Sequence, residues 1–256
     1  MTTAQAQSKI LFPSLDEFWK NPSRVGPAFG PMQLGALPVP VQRMLRSSIA
    51  PGTPLASCVR LHMHGEIKLK TWLPFSAVEV ISWPHGFLWG ATVRQNGMPI
   101  HGFDGLVDGE GAMQWKLFGL ISVLHAHGAD ITRSAAGRLA AEAIWLPSMF
   151  CGADVTWSAP DANHARARFT IAGETVEPEF EIDDKGQVNS VVMQRWGDPD
   201  KDGFGYHAFG GLVEQRASFG GFTIPTKMRA GYHFGTERFE SQGEFIRISI
   251  DAAAYR

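Results

Sequence analysis

The sequence has little cysteine and little charge. Cys58 and Cys151 are its only two cysteines in 256 residues, and they do not form a C-x-x-C pair. Two thiols are too few for a disulfide framework, so we expect both to be reduced. Charged residues make up 19% of the chain and the net charge is −2, which gives no electrostatic reason to expect nucleic acid or an anionic membrane as a partner. Residues 1–20 lack the apolar run of a signal peptide or a membrane span. We therefore expect a soluble, cytoplasmic protein.

Familiar catalytic signatures are also missing. The sequence contains no G-x-S-x-G elbow, Walker loop, H-E-x-x-H, zinc-ribbon spacing or dinucleotide fingerprint. These absences disfavour serine hydrolysis, ATP use and hydride transfer, and no cofactor is expected. The segment Asp198–Phe204 imitates the start of a calcium loop, but its twelfth position is Phe209 rather than glutamate. An acidic hairpin is therefore favoured there over a calcium site.

Helical signals are few. A Ser14/Glu17 capping box predicts a short N-terminal helix. Two later segments place apolar residues along one helical face: Leu37–Ile49 and Ile131–Pro147. The last of these is rich in alanine, with Thr132 or Ser134 as its expected cap.

Most of the remaining chain reads as strand. Between Val59 and Thr71, apolar residues alternate with polar ones that include His62 and His64. About ten such segments, separated by turn signals, predict a mainly antiparallel β protein with a few helices (α+β). We expect an open or half β-barrel curled over one or two helices. Residues 1–36 would form an N-terminal arm with a short helix, and residues 37–256 a single half-barrel domain.

Four segments carry a resemblance to an uncharacterised family of bacterial proteins: Leu37–Arg43 (Leu-Pro-x-Pro-Val-x-Arg), Asp104–Met113 (D-x-x-x-x-G-x-G-x-M), Arg138–Pro147 (Arg-Leu-Ala-x-Glu-x-x-Trp-x-Pro) and Gly221–Thr226 (Gly-x-x-Ile-Pro-Thr). The similarity spans roughly residues 35 to 250. The resemblance implies a fold similar to the half-barrel proteins of lipoprotein localisation, with an apolar concavity. The same shape occurs in a small pigment-pathway enzyme that needs no cofactor, so the fold alone does not decide the function. The family pattern points to Asp104, Arg138, Glu142 and Trp145.

Two His-x-His pairs lie outside that pattern. On a strand, His62 and His64 project from one face about 6–7 Å apart, so they could bind a metal, line a polar site in the concavity, or lie on the surface. Arg60 and Lys68 share that face and disfavour a metal. His125 and His127 follow an apolar run at a strand end or loop. Whether the two pairs converge is left open by the sequence.

A third histidine lies close to a carboxylate. His101 precedes Asp104 by three residues in the glycine-rich segment 99–105. A histidine held by a carboxylate can act as a general base near neutral pH. The alternative is that Asp104 caps its own turn and His101 is exposed.

The best-predicted helix carries Arg138 and Glu142 at positions i and i+4, with Trp145 next along the same face. These residues form either a surface salt bridge or the lining of the concavity, where burial would raise the pKa of Glu142. Aromatic residues around Trp83, Phe87 and Trp89 could line a pocket for an apolar or aromatic ligand.

These observations favour an enzyme that acts on an apolar or aromatic small molecule by acid–base chemistry without a cofactor, as a lyase, isomerase or hydrolase. Glu142 and the pair His101/Asp104 would be its acid and base, while the substrate-binding residues would be His62, His64, Trp89, Arg138 and Trp145. One alternative is a non-catalytic carrier of a lipid or other hydrophobic ligand. A second is a metal-dependent hydrolase built on the His-x-His pairs. The sequence leaves the oligomeric state open.

Overall fold

The computed structural model describes residues 12–20 and 26–256. The remainder of the predicted arm, residues 1–11 and 21–25, lies outside the described residues. The α-helices are α1 (Leu15–Lys20), α2 (Val39–Ser48) and α3 (Ala129–Glu142), and short helical turns of other types span Pro31–Gln33, Ala143–Trp145, Pro147–Cys151 and Phe239–Gly243. The strands, in chain order, are β1 (Cys58–Lys68), β2 (Trp72–Ser82), β3 (Gly86–Gln95), β4 (Met98–Val107), β5 (Glu110–Leu117), β6 (Ile121–His127), β7 (Thr156–Ser158), β8 (His164–Ile171), β9 (Glu174–Val176), β10 (Glu179–Ile182), β11 (Val188–Gly197), β12 (Gly205–Phe219), β13 (Phe222–Tyr232) and β14 (Glu244–Tyr255).

Every paired strand is antiparallel to its neighbour, and the sheet has the order β6-β5-β4-β3-β2-β1-β14-β13-β12-β11-β10-β8-β7, with β9 paired to β8. The two edges, β6 and β7, do not pair with each other, so the sheet is open. This confirms the predicted class, a mainly antiparallel open barrel with few helices. No helix in the described ranges is long and apolar enough to cross a membrane.

The alternation of side chains decides which face of the sheet is buried. In β1, Val59, Leu61 and Met63 are buried in the concavity, whereas His62 and His64 are exposed on the convex face. The predicted alternation is thus correct. Of the alternatives left open for His62 and His64, the surface is correct and the polar site in the concavity is wrong, because the apolar side of β1 faces the concavity.

Helix α3 crosses the concave face, and the sheet curls around it. Its buried side consists of Leu139 and small residues. The small residues let the helix lie close to the strands. The helix begins at Ala129, after Gly128, so neither Thr132 nor Ser134 caps it. Instead the Thr132 hydroxyl accepts a hydrogen bond from the Gly111 amide of β5 at 2.9 Å. The predicted cap is wrong because the helix begins at Ala129, two residues before Ile131, where the apolar pattern starts.

Helix α1 packs on the opposite, convex face. The predicted capping box forms, with the Ser14 amide donating to Glu17 Oε2 at 2.8 Å. Phe18 and Trp19 are buried against Cys58, Val80 and Leu88, which point outward from β1 to β3. Helix α1 therefore covers part of the back of the sheet, whereas Phe29 and Leu34, later in the arm, belong to the core on the concave side.

Candidate functional site

A cavity of about 250 Å³ lies between α3 and the concave face of the sheet. This volume is just below the range of about 300–1,000 Å³ typical of small-molecule sites. Its walls are mostly apolar, and they include Ile67, Ile131, Ala135, Trp145, Met228 and Ile248. The polar side chains in the lining come from α3, β4 and β11: Asp104, Ser134, Arg138, Glu142 and Arg195.

Arg138 is the centre of a buried charge cluster. Its Nε donates to Glu142 Oε1 at 2.7 Å, its Nη2 to Glu79 Oε1 at 3.1 Å, and its Nη1 to Asp104 Oδ2 at 3.3 Å. The Arg138 side chain is 16% exposed and that of Glu79 is fully buried. Three carboxyl groups from α3, β2 and β4 therefore surround one guanidinium.

The face of the same guanidinium packs on two aromatic rings. Its central carbon lies 4.7 Å from the ring centre of Phe87 and 5.0 Å from that of Trp89. Both rings lie on β3, next to β2 and β4, and both line the cavity. Cation–π contacts of this kind strengthen when water is excluded. The three hydrogen bonds and the two ring contacts together hold the Arg138 guanidinium in place.

Burial changes the protonation of the cluster. The pKa of Glu79 is raised well above its ordinary value, chiefly by burial and then by the nearby charge of Glu142. Burial also raises the pKa of Asp104, against the opposing effect of Arg138. Burial alone would lower the pKa of Arg138, but Glu142, Glu79 and Asp104 outweigh it and raise that pKa. Arg138 therefore stays charged, while Glu79 tends to hold a proton.

Two carboxyl oxygens of the cluster are left over. Glu79 Oε2 and Glu142 Oε2 are buried and have no hydrogen-bond partner among the described residues. A buried oxygen without a partner is unfavourable, and a hydrogen bond with Glu142 is one of the causes that raise the pKa of Glu79. A proton held by Glu79 and shared with Glu142 would therefore satisfy both oxygens.

Five of the residues singled out from the sequence line this one cavity: Trp89, Asp104, Arg138, Glu142 and Trp145. The Trp145 indole donates to the carbonyl of Pro225 at 3.1 Å and that of Trp89 to the sulfur of Met63 at 3.4 Å, so both rings are fixed. Phe87 also lines the cavity, whereas Trp83 packs on Phe169 instead. Of the two interpretations of Arg138 and Glu142, the cavity lining is correct.

The predicted pair of His101 and Asp104 does not form. Both residues lie on β4, where a separation of three positions puts them on opposite faces of the sheet. His101 is exposed on the convex side, 2.9 Å from the Thr92 hydroxyl, whereas Asp104 accepts a hydrogen bond from the indole of Trp115 at 2.9 Å. The prediction is wrong because the glycine-rich segment is a strand rather than a loop.

The two His-x-His pairs do not converge. His62 and His64 are on the convex side of β1, where His64 lies 3.0 Å from Asp251. The rings of His125 and His127 are 5.4 Å apart on β6, five strand positions away, or about 24 Å along the sheet at the usual spacing. Within residues 12–20 and 26–256, no group of three His, Cys, Asp or Glu side chains is placed to hold a metal. His62 and His64 therefore do not contact a ligand in the cavity.

Glu79 is the member of the cluster that sequence reasoning missed. It lies on β2 in phase with the buried residues Phe75, Ala77 and Ile81. The sequence did contain a signal for Glu79, namely a single carboxylate on the apolar face of a strand. Such a residue is almost never buried without a partner.

An open antiparallel half-barrel with one helix across an apolar cavity is the class that the fold and the site define. The family model described as "family of unknown function (DUF6544)" matches residues 27–242. The chain belongs to this family. That result confirms the resemblance to an uncharacterised family.

The chain is similar to solved structures that include the following two. One is a LolA superfamily protein from Nitrosomonas europaea, with 8% identity, a TM-score of 0.45, and 85% of this chain and 92% of that chain covered. The other, from Vibrio parahaemolyticus, is a domain named for outer membrane lipoprotein sorting, with 8% identity, a TM-score of 0.38, and 78% and 86% covered. No curated protein matches the sequence.

The acid–base enzyme predicted from the sequence is wrong. Its base was the pair His101/Asp104, which the sheet separates, and its acid Glu142 is bound to Arg138. The histidines expected to orient the substrate lie on the convex face.

Proposed function

We propose that the protein binds an apolar small molecule, such as a single-chain lipid, in the cavity under α3 and carries it without chemical change. The observation that carries the proposal is the cavity itself, an apolar space between the helix and the sheet with a polar cluster on one side. A closed core would fill this space with side chains. A cavity lined by apolar groups favours an apolar occupant.

The charge cluster restricts the head group of that ligand. The nitrogens of Arg138 already donate to three different carboxyl groups, and Arg195 lies over the ring of Phe209 at 4.7 Å. A carboxylate or phosphate on the ligand would meet the acidic groups Asp104 and Glu142 beside an arginine that is already paired. A hydroxyl group avoids this repulsion. The proposed ligand is therefore an amphiphile whose head group is not anionic.

A competition assay tests this proposal. The neutral dye N-phenyl-1-naphthylamine would be bound first and then displaced by dodecanol, dodecylamine or laurate. We expect the alcohol and the amine to displace the dye at concentrations roughly tenfold lower than laurate, because like charges repel in a desolvated site. Displacement by laurate at the lowest concentration would contradict the head-group assignment.

Two cavity-filling variants locate the binding site. Ala135 and Met228 face the cavity from α3 and β13, so Ala135→Trp and Met228→Trp should each abolish dye binding while the fold is retained. Ala217→Trp on the exposed part of β12 is the matched control and should bind the dye normally. Full dye binding by both folded cavity variants would show that the ligand binds elsewhere.

A further inference from the structure

Exposed apolar side chains are concentrated at one end of the sheet. The turns β1–β2, β3–β4 and β5–β6 all lie at this end, and we call residues 68–71, 95–98 and 117–121 the hairpin rim. Eleven large apolar side chains are exposed in the described chain, and seven of them lie on the rim or on β6, which leads away from it. They are Leu69, Met98, Phe118, Leu120, Ile121, Val123 and Leu124. Such a concentration marks an interaction surface.

The rim forms one continuous surface. The amide of Phe118 in the β5–β6 turn donates to the carbonyl of Pro99 in the neighbouring β4 at 3.0 Å. Leu69 lies in the next turn along, two strand spacings or about 10 Å farther. The exposed apolar side chains of the three turns therefore lie along the same end of the sheet.

The β5–β6 turn holds its apolar residues out in solvent. Phe118 has a φ of +52°, a region that bulky residues rarely adopt, and its side chain is 52% exposed. Two residues later Leu120 is 84% exposed. Strained backbone of this kind persists at sites where a side chain must be presented.

Positive charge accompanies these apolar residues. Lys70 and Arg94 are exposed, Lys116 is partly exposed, and each lies within four residues of an exposed apolar side chain of the rim. The sequence has no Asp or Glu at positions 67–72, 93–100 or 115–123.

The nearest acidic residues are paired with other arginines, Glu66 with Arg247 and Glu240 with Arg229. A partner that combines an apolar layer with negative charge above it fits this surface. The surface of an anionic lipid bilayer has this chemistry.

We propose that the hairpin rim docks on the surface of an anionic bilayer. Phe118, Leu120 and Ile121 would enter the boundary between head groups and acyl chains, and the basic side chains would contact the head groups. Ile67, one residue before the rim, lines the cavity, so a docked protein would hold the cavity near the membrane. The docking follows from the rim alone and does not depend on the proposed ligand.

Vesicle sedimentation tests the proposal with the full chain. We expect the protein to sediment with vesicles of phosphatidylcholine and phosphatidylglycerol, to sediment much less with phosphatidylcholine alone, and to be released by high salt. The double variant Phe118→Ser/Leu120→Ser should reduce the bound-to-free ratio by roughly tenfold or more, since each buried methylene adds to membrane affinity.

Met32 and Val39 supply the matched control, because they are exposed apolar residues away from the rim. The variant Met32→Ser/Val39→Ser should sediment like the unchanged protein. Equal loss in both double variants, or no sedimentation with either kind of vesicle, would overturn the proposal. A dimer that the rim substitutions dissociate, without vesicle binding, would also overturn it, since β6 would then pair with a second copy. Dye binding in the same samples tests the cavity separately.

Discussion

Arg138 on the crossing helix and Glu79 on the sheet face each other with 3.1 Å between Nη2 and Oε1, and the Glu79 side chain is fully buried. This contact joins α3 to the concave face at the polar end of an otherwise apolar cavity. A buried pair contributes little compared with apolar residues of the same shape, but removing one partner is strongly destabilising. The cluster therefore fixes the position of the helix more than it adds to stability.

Removing the guanidinium should destabilise the fold. Arg138→Met leaves three carboxyl groups without their counter-charge, so we expect the free energy of unfolding at neutral pH to fall by about 3 kcal/mol. Urea denaturation measures this change. Arg168→Met, which breaks an exposed pair with Glu177, is the control and should have little effect. Comparable losses in both variants would show that the cluster is not specially coupled to the fold.

The raised pKa of Glu79 predicts a pH dependence of stability. Because the folded protein holds the Glu79 proton more tightly than the unfolded chain does, the stabilisation is complete below the ordinary pKa of 4.5 and is lost as pH rises through the folded-state pKa. Glu79→Gln cannot lose this proton, so its free energy of unfolding should decline less than that of the wild type between about pH 5 and about pH 8. Glu177→Gln should follow the wild type. Parallel curves for Glu79→Gln and the wild type would contradict the assigned pKa shift.

Close packing of α3 on β5 predicts a sharp difference between two glycines. A Cβ at Gly111 would lie 2.5 Å from Thr132 Cα and 2.8 Å from its amide nitrogen, both backbone atoms. Gly111→Ala should therefore destabilise the protein by about 2 kcal/mol through overpacking. Gly30 has no described atom within 4 Å of such a Cβ, and Gly30→Ala should be nearly neutral. Thermal unfolding of the two variants makes the comparison.

Both cysteines should react slowly in the native protein. Burial raises the pKa of Cys58 to about 11 and that of Cys151 to about 12, so the reactive thiolate is scarce at neutral pH. We expect alkylation by iodoacetamide to be at least roughly tenfold slower in the folded protein than in urea. Mass spectrometry of timed samples resolves the two sites. A native rate equal to the denatured rate at either thiol would contradict the assigned shift there.

Several features of the fold could be predicted from local patterns. The period-two alternation around His62 identified β1, and the capping box at Ser14 identified α1, because both patterns follow from local backbone geometry. The glycine-rich segment around Asp104 was missed as a strand, since glycine disfavours strands on average and the pairing of β4 with β3 and β5 overrides that preference.

The candidate site could be predicted only in part. Arg138 and Glu142 are one helical turn apart, so their proximity was visible in the sequence. Glu79 lies 59 positions from Arg138, and only the curvature of the sheet brings it to the helix. The alternation in β1 assigns its side chains to two faces, but it does not show which face is on the concave side. That depends on the curvature of the whole sheet.

Net charge was a poor guide to the partner for a similar reason. A total of −2 gives no hint that Lys70, Arg94 and Lys116 gather at one end, on or next to three turns that contain no Asp or Glu themselves. The strand order produces this distribution, because it places three hairpin turns side by side.

The strand order also determines when the sheet can be completed. The central pair joins β1, near the start of the described chain, to β14 at its end, so the two meanders on either side can form early while their junction must wait for the last strand. Long-range pairing of this kind slows folding. A chain shortened before residue 244 would lack β14, which lies in the middle of the sheet between β1 and β13. Both β1 and β13 would then be open edges able to pair with other chains.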